Sequence, residues 1–203
     1  MLALTFGLFF FDFDLDAYTD LFCVNGHIEP DINRSQSSVD YAQQPSLFWN
    51  RGDGTFEEIV SQVGLDSAGV GRGAAYGDYD NDGDLDLLIS NNGVHPDRGQ
   101  ARLLRNDGGN HNNYLRVKAI GKESNRDGIG AKVILKAGGV TQRRLVRTGS
   151  SYCSQSETIL TFGIGQNKRV ESLQVIWPSG KIDLYADLLG NFLIEVVEGE
   201  TNQ

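Results

Sequence analysis

Nine residues constrain this chain more than any other stretch: Asp78-Tyr79-Asp80-Asn81-Asp82-Gly83-Asp84-Leu85-Asp86, running directly into the apolar segment Leu87-Leu88-Ile89-Ser90. Five carboxylates at alternate positions repel one another. Two unit charges about 4 Å apart do so by ~1 kcal/mol in water and ~4 kcal/mol at the effective dielectric of a protein surface. Such a loop folds only with a compensating cation. Ca2+ takes about six to eight oxygen ligands in a flexible shell, and a D-x-D-x-D-G loop supplies them from a compact coil bent at its glycine. On this reading Asp78, Asp80 and Asp82 are the first three ligands, Gly83 is the bend, Asp84 offers its main-chain carbonyl and Asp86 closes the shell.

The loop has a copy. Asp12-Phe13-Asp14-Leu15-Asp16-Ala17-Tyr18-Thr19-Asp20-Leu21-Phe22-Cys23-Val24-Asn25 aligns with Asp78 to Asn91, and upstream Gly7 to Phe11 aligns with Gly73 to Gly77. Asp12, Asp14, Asp16, Tyr18 and Asp20 hold the corresponding ligand places. Ala17 stands where the bend prefers glycine, and a left-handed backbone there costs alanine ~1 kcal/mol, so this site is expected to bind more weakly. A feature that recurs once per unit belongs to the scaffold. Each unit reads as strand, acidic loop, strand. Leu47-Phe48-Trp49, the turn Asn50 to Gly54 and Thr55 to Ile59 then add a hairpin, echoed by Arg102 to Arg105 and Asn106 to Gly109. About four short strands per unit is the content of one propeller blade.

From residue 110 the pattern changes, which divides the chain into 1–109 and 110–203. Tyr114 to Ile120 alternates with period two, as a half-buried strand does. Ala131 to Ala137 and Val140 to Val146 flank the hairpin signal Gly138-Gly139. Thr158 to Phe162, Leu173 to Trp177 and Phe192 to Val197 are further strands, with Pro178-Ser179-Gly180 as a turn. The expected fold class is all-β: a partial propeller of about two blades, then an antiparallel sandwich or small barrel of six or seven strands. The net charge of -9 argues against nucleic acid or an anionic membrane as main partner. Apolar Met1 to Phe11 is too short to span a bilayer and lacks the flanks of a signal peptide, so it reads as a strand. Cys23 and Cys153 read as free, buried small hydrophobes, with a disulfide between them as the alternative.

Other candidates point away from catalysis. Ser150, Ser151, Ser154 and Ser156 lack a G-x-S-x-G elbow and read as cross-strand hydrogen-bonding groups. His27, His95 and His111 show no H-E-x-x-H spacing. Trp49 and Trp177 read as core residues at strand ends, with sugar stacking as the alternative. Gly69-Val70-Gly71-Arg72-Gly73 lacks the ending of a phosphate loop and reads as a tight inter-strand turn. Asn125-Arg126-Asp127-Gly128 reads as a hairpin turn with Gly128 left-handed, or alternatively as a recognition tip. Residues 26–46 read as a long surface loop, where Asn33-Arg34-Ser35 is a glycosylation acceptor only in a secreted eukaryotic protein.

The acidic loops resemble FG-GAP/VCBS-type blade repeats, which bind Ca2+ and are also seen in integrin alpha subunits. The tail resembles the ASPIC/UnbV domain through Ser124-Asn125-Arg126-Asp127-Gly128-Ile129-Gly130-Ala131, Gly149 to Ser156, Phe162-Gly163-Ile164-Gly165 and Trp177-Pro178-Ser179-Gly180. Together they are similar to the C-terminal part of the cartilage acidic protein family. The resemblance implies a seven-bladed propeller before the tail domain, hence a fragment with further blades expected upstream. It also implies a Ca2+-binding, non-enzymatic adhesion or interaction module, extracellular, periplasmic or at the cell surface. A protein or glycan partner is expected, and neither nucleic acid nor membrane insertion. A carbohydrate-binding module and an accessory domain of a biosynthetic enzyme are the alternatives.

Overall fold

The computed structural model describes residues 3–93 and 99–200. The first sheet is antiparallel and holds β1 (Thr5–Phe11), β2 (Asp20–Asn25), β3 (Ser46–Asn50) and β4 (Phe56–Glu58) in that order. The second holds β5 (Gly71–Gly77), β6 (Asp86–Asn91) and β7 (Arg102–Leu104). Strand alternation turns Phe9, Phe11, Phe22 and Leu47 toward Ala74, Leu87 and Ile89, forming one core between the sheets. Phe9 and Tyr76 meet edge to face at 5.0 Å across this seam, and Phe11 stacks with Tyr76 at 6.1 Å. On the faces turned away from the seam, Leu8 and Phe10 of β1 and Leu88 and Leu103 of β6 and β7 are exposed.

Two expectations are corrected here. Gly71 to Gly73 belong to β5 rather than to a turn, and Gly69 forms a bridge with Gln43. The glycines are needed because β2 lies so close: a β-carbon on Gly71 would run into the Val24 side chain. Second, among the described residues the second unit has three strands, not four. Beyond β7 the polar run Asn110-His111-Asn112-Asn113 has no apolar alternation, and the chain passes through a single helical turn at Gly109–His111 into the next sheet. Residues 26–46 are also less irregular than expected, holding a short helix, α1 (Ile32–Ser35), and a Gly26–Ala42 bridge.

The remaining strands are β8 (Asn113–Ile120), β9 (Lys132–Ala137), β10 (Val140–Leu145), β11 (Leu160–Gly165), β12 (Arg169–Ile176), β13 (Ile182–Leu189) and β14 (Phe192–Val197). They form two sheets, β10-β9-β12-β13 and β11-β8-β14, with no closed barrel. The pairing is antiparallel apart from β8 with β14, which is parallel. Leu115, Val117, Val133, Leu135, Phe162, Val175, Trp177 and Val196 fill the second core. Gly138 and Gly139 have φ of 56° and 80°, as a two-residue hairpin turn with both central residues left-handed requires.

β13 was not anticipated because its alternation is inverted. Ile182 and Leu184 face solvent while Asp183 is buried, accepting from Trp177 Nε1 at 2.6 Å and from the Gly199 amide at 2.9 Å. Glu198 is a second buried carboxylate. It accepts from the amides of Lys122, Glu123 and Ser124 at 2.7 to 2.8 Å and from the hydroxyls of Ser124 and Ser179. It thus binds the loop after β8 to the turn after Trp177.

Candidate metal centres

Each acidic loop is a coil held by its own carboxylates, in the same way at both positions. Asp12 accepts from the amides of Asp16 and Ala17, both at 3.1 Å, and Asp78 accepts from those of Asp82 and Gly83, both at 3.1 Å. Asp20 closes the first coil on Phe13 N at 3.0 Å, and Asp86 closes the second on Tyr79 N at 2.7 Å. Leu15 and Ala17 have φ of 58° and 85°; Asn81 and Gly83 have φ of 62° and 103°. The left-handed bend is therefore present at Ala17 as well as at Gly83.

The coils gather two carboxylate triads. One oxygen from each of Asp12, Asp14 and Asp20 lies within 4.8 Å of the other two, and the same holds for Asp78, Asp80 and Asp86. The carboxylates of Asp16 and Asp82 lie outside these triads, each accepting from the amide two residues on, Tyr18 or Asp84, at 2.8 and 3.2 Å. The donor set is all oxygen, which suits a hard cation. Asp14 Oδ1 is buried without a hydrogen-bond partner while its Oδ2 accepts from Trp49 Nε1 at 3.0 Å. A buried carboxylate oxygen without a protein donor, in a residue that belongs to a carboxylate triad, fits a cation.

Electrostatics give the same picture. Burial pushes the Asp12 carboxyl well up; Arg144 opposes this, and Asp16, Asp20 and Asp14 add to it. Asp20 is pushed up to about 7 and Asp16 to about 6, in both cases mainly by burial. Burial likewise raises Asp78, against the pull of Arg116. Carboxylates packed without enough positive charge hold protons that a cation would displace.

Several supporting residues escaped the sequence reading. Asn50 and Asn106 donate their amides to Asp20 and Asp86, each at 2.8 Å, and each then caps a glycine two residues on. The shared Asn-x-Gly after the third strand was the available signal. The C-terminal sandwich also contacts both loops. Asn112 Nδ2 donates to the Asp14 carbonyl at 2.8 Å, and the Gly165 amide donates to that of Leu15 at 3.0 Å. Arg116, on β8, pairs with Asp78 at 2.8 Å and with both oxygens of Glu157. Arg144, on β10, lies 3.9 Å from Asp12. A β-carbon on Gly83 would fall inside the Tyr114 ring.

Several of the other sequence candidates have structural partners, whereas Ser151 Oγ is buried without one. The Tyr76 amide donates to Ser156 Oγ at 3.1 Å across the two sheet systems, and Ser154 Oγ donates to the Tyr152 carbonyl. His27 Nδ1 accepts from the Glu29 amide within a loop and His111 Nδ1 meets the Gly108 carbonyl at the helical turn Gly109–His111; His95 lies outside the described residues. Trp177 is in the core, whereas Trp49 serves the first acidic loop. Gly128 is left-handed at φ 68° in a turn closed on Asn125. Both cysteines are free, but Cys23 is half-buried and Cys153 exposed, which corrects the expectation of two buried thiols. Cys153 sits at φ 46° in the turn between Ser151 and Ser154, where no strand covers it.

Sequence comparison places these features in a known setting. Residues 12–89 match the FG-GAP-like repeat, and residues 121–203 match the ASPIC and UnbV domain. Cartilage acidic protein 1 of Homo sapiens and of Mus musculus are each 34% identical over 137 residues, 64% of this chain and 19% and 20% of theirs. The Xenopus tropicalis protein is 34% identical over 153 residues, 74% of this chain and 21% of its own. The chain thus spans about a fifth of the length of these relatives. Residues 12–89 thus carry an FG-GAP-like repeat and residues 121–203 an ASPIC/UnbV domain, and the chain is similar to part of cartilage acidic protein 1.

Proposed function

We propose that this chain is a Ca2+-binding, non-enzymatic interaction module of an extracellular or cell-surface protein. The observation that carries the reading is the pair of triads, Asp12, Asp14, Asp20 and Asp78, Asp80, Asp86, built on the same hydrogen-bonded coil. Ca2+ supplies no chemistry here; it relieves carboxylate repulsion and stiffens the loops. The main-chain oxygens of Tyr18 and Asp84 complete the shells. Because the C-terminal sandwich packs against one side of the loops, the partner surface lies on the remaining faces. A role outside the cell agrees with the homologues, and no helix among the described residues is long and apolar enough to cross a membrane.

Thermal unfolding tests this directly. The midpoint rises with Ca2+ and falls with a chelator, and Asp80→Ala with Asp82→Ala removes the part of the shift due to the second loop. An identical response of wild type and double variant would refute the assignment at Asp78 to Asp86.

A further inference from the structure

The two loops share a coil but not a charge environment. In the first, Asp14 Oδ2 accepts from the neutral indole of Trp49, and its Oδ1 has no partner. At the place matching Trp49, just before Asn106, the second unit has Arg105, 3.9 Å from Asp80 and exposed. More decisive is Arg116. Its side chain is only 6% exposed, and its guanidinium lies 2.8 Å from Asp78 Oδ2 and is held by Glu157 and by Thr161 Oγ1 at 3.2 Å. The nearest counterpart in the first loop is Arg144, 3.9 Å from Asp12, which leans on Gln142 and stacks over Phe162.

We propose that Arg116, delivered by the C-terminal sandwich, is an internal cation of the second acidic loop that lowers its affinity for Ca2+ and leaves the first loop as the tighter site. This rests on the Ca2+ reading above. A buried positive charge on an oxygen of Asp78 opposes a divalent ion brought to the same carboxylate. Glu157 offsets part of that opposition. Ala17 does not reverse the order of the sites, because the cost of its left-handed backbone is small beside the repulsion between a divalent ion and a charge so close to it. Arg116 is therefore a tuning residue, acting through Asp78, and it gives one chain two affinities.

The test is calorimetric titration of the full chain with Ca2+ alone, isolating the second site by Asp14→Asn and the first by Asp80→Asn. Arg116→Met tightens the second site by about tenfold or more, the scale expected for removing a charge close to the ion. Arg116→Lys, which keeps the charge, stays near wild type. Glu157→Gln leaves Arg116 uncompensated and weakens the second site severalfold. None of the three moves the first site. Tightening by Arg116→Met with no response to Arg116→Lys supports the proposal. Unchanged or weaker binding in a folded Arg116→Met protein overturns it, as do equal effects of Met and Lys. If Arg116→Met does not fold, Glu157→Gln decides alone, and unchanged or tighter second-site binding overturns the proposal. Absence of Ca2+ binding in the Asp14→Asn and Asp80→Asn proteins refutes the underlying metal reading as well, and is distinguishable from failure of the Arg116 dependence alone.

Discussion

Position 17 and its counterpart 83 carry the same bend with different side chains. Ala17 holds φ 85° at a steric cost that glycine avoids, whereas Gly83 is pressed by the Tyr114 ring. Ala17→Gly is therefore expected to stabilise the protein by about 0.5 to 1 kcal/mol. Gly83→Ala combines positive φ with a collision and destabilises by more than about 1 kcal/mol. Denaturant unfolding in chelator measures both. These positions were legible in the sequence because a loop's carboxylates and its bend lie within nine consecutive residues. Arg116, Glu157 and Glu198 were not. Arg116 meets Asp78 from 38 residues away and Glu157 from 41, and such pairings are set by sheet register rather than by local pattern.

Among the elements, the strands that alternate apolar inward were readable, down to the Gly138-Gly139 hairpin. β13 was not, because Asp183 takes an inward position that an apolar residue normally fills. The loop after β8 and the turn after Trp177 look unrelated in sequence, yet Glu198 holds them together. Burial acts to raise its carboxyl, but the amides of Ser124, Lys122 and Glu123 and the Ser179 hydroxyl outweigh it and hold the group at about 2. Since the folded value lies below the ordinary 4.5, the stabilisation is fully present above pH 4.5 and is lost as pH falls toward 2. Glu198→Gln should be less stable than wild type at pH 7, and the difference should shrink through that window. A difference that persists at pH 2 would show that Glu198 acts by packing rather than by charge.

At the scale of the molecule, the two sheet systems are tied at their interface by Arg116 to Asp78, Asn112 to the Asp14 carbonyl, Gly165 to the Leu15 carbonyl and Tyr76 to Ser156. Buried ion pairs and main-chain hydrogen bonds at one interface couple the parts on either side. Calorimetry should show one heat-absorption peak; two separated peaks, one removed by chelator, would mean the parts unfold independently. Neither Arg116 nor Gly165 belongs to the acidic repeat, so this coupling was invisible before the fold was known.

The central claim is that both acidic loops bind Ca2+, and the most direct measurement is isothermal calorimetry of the chelator-stripped full chain. Two ions are expected to bind per chain, with Asp14→Asn and Asp80→Asn each removing one. Protons should be released near neutral pH, because Asp20 titrates at about 7 in the cation-free protein. No binding, or a stoichiometry that neither substitution changes, would contradict it.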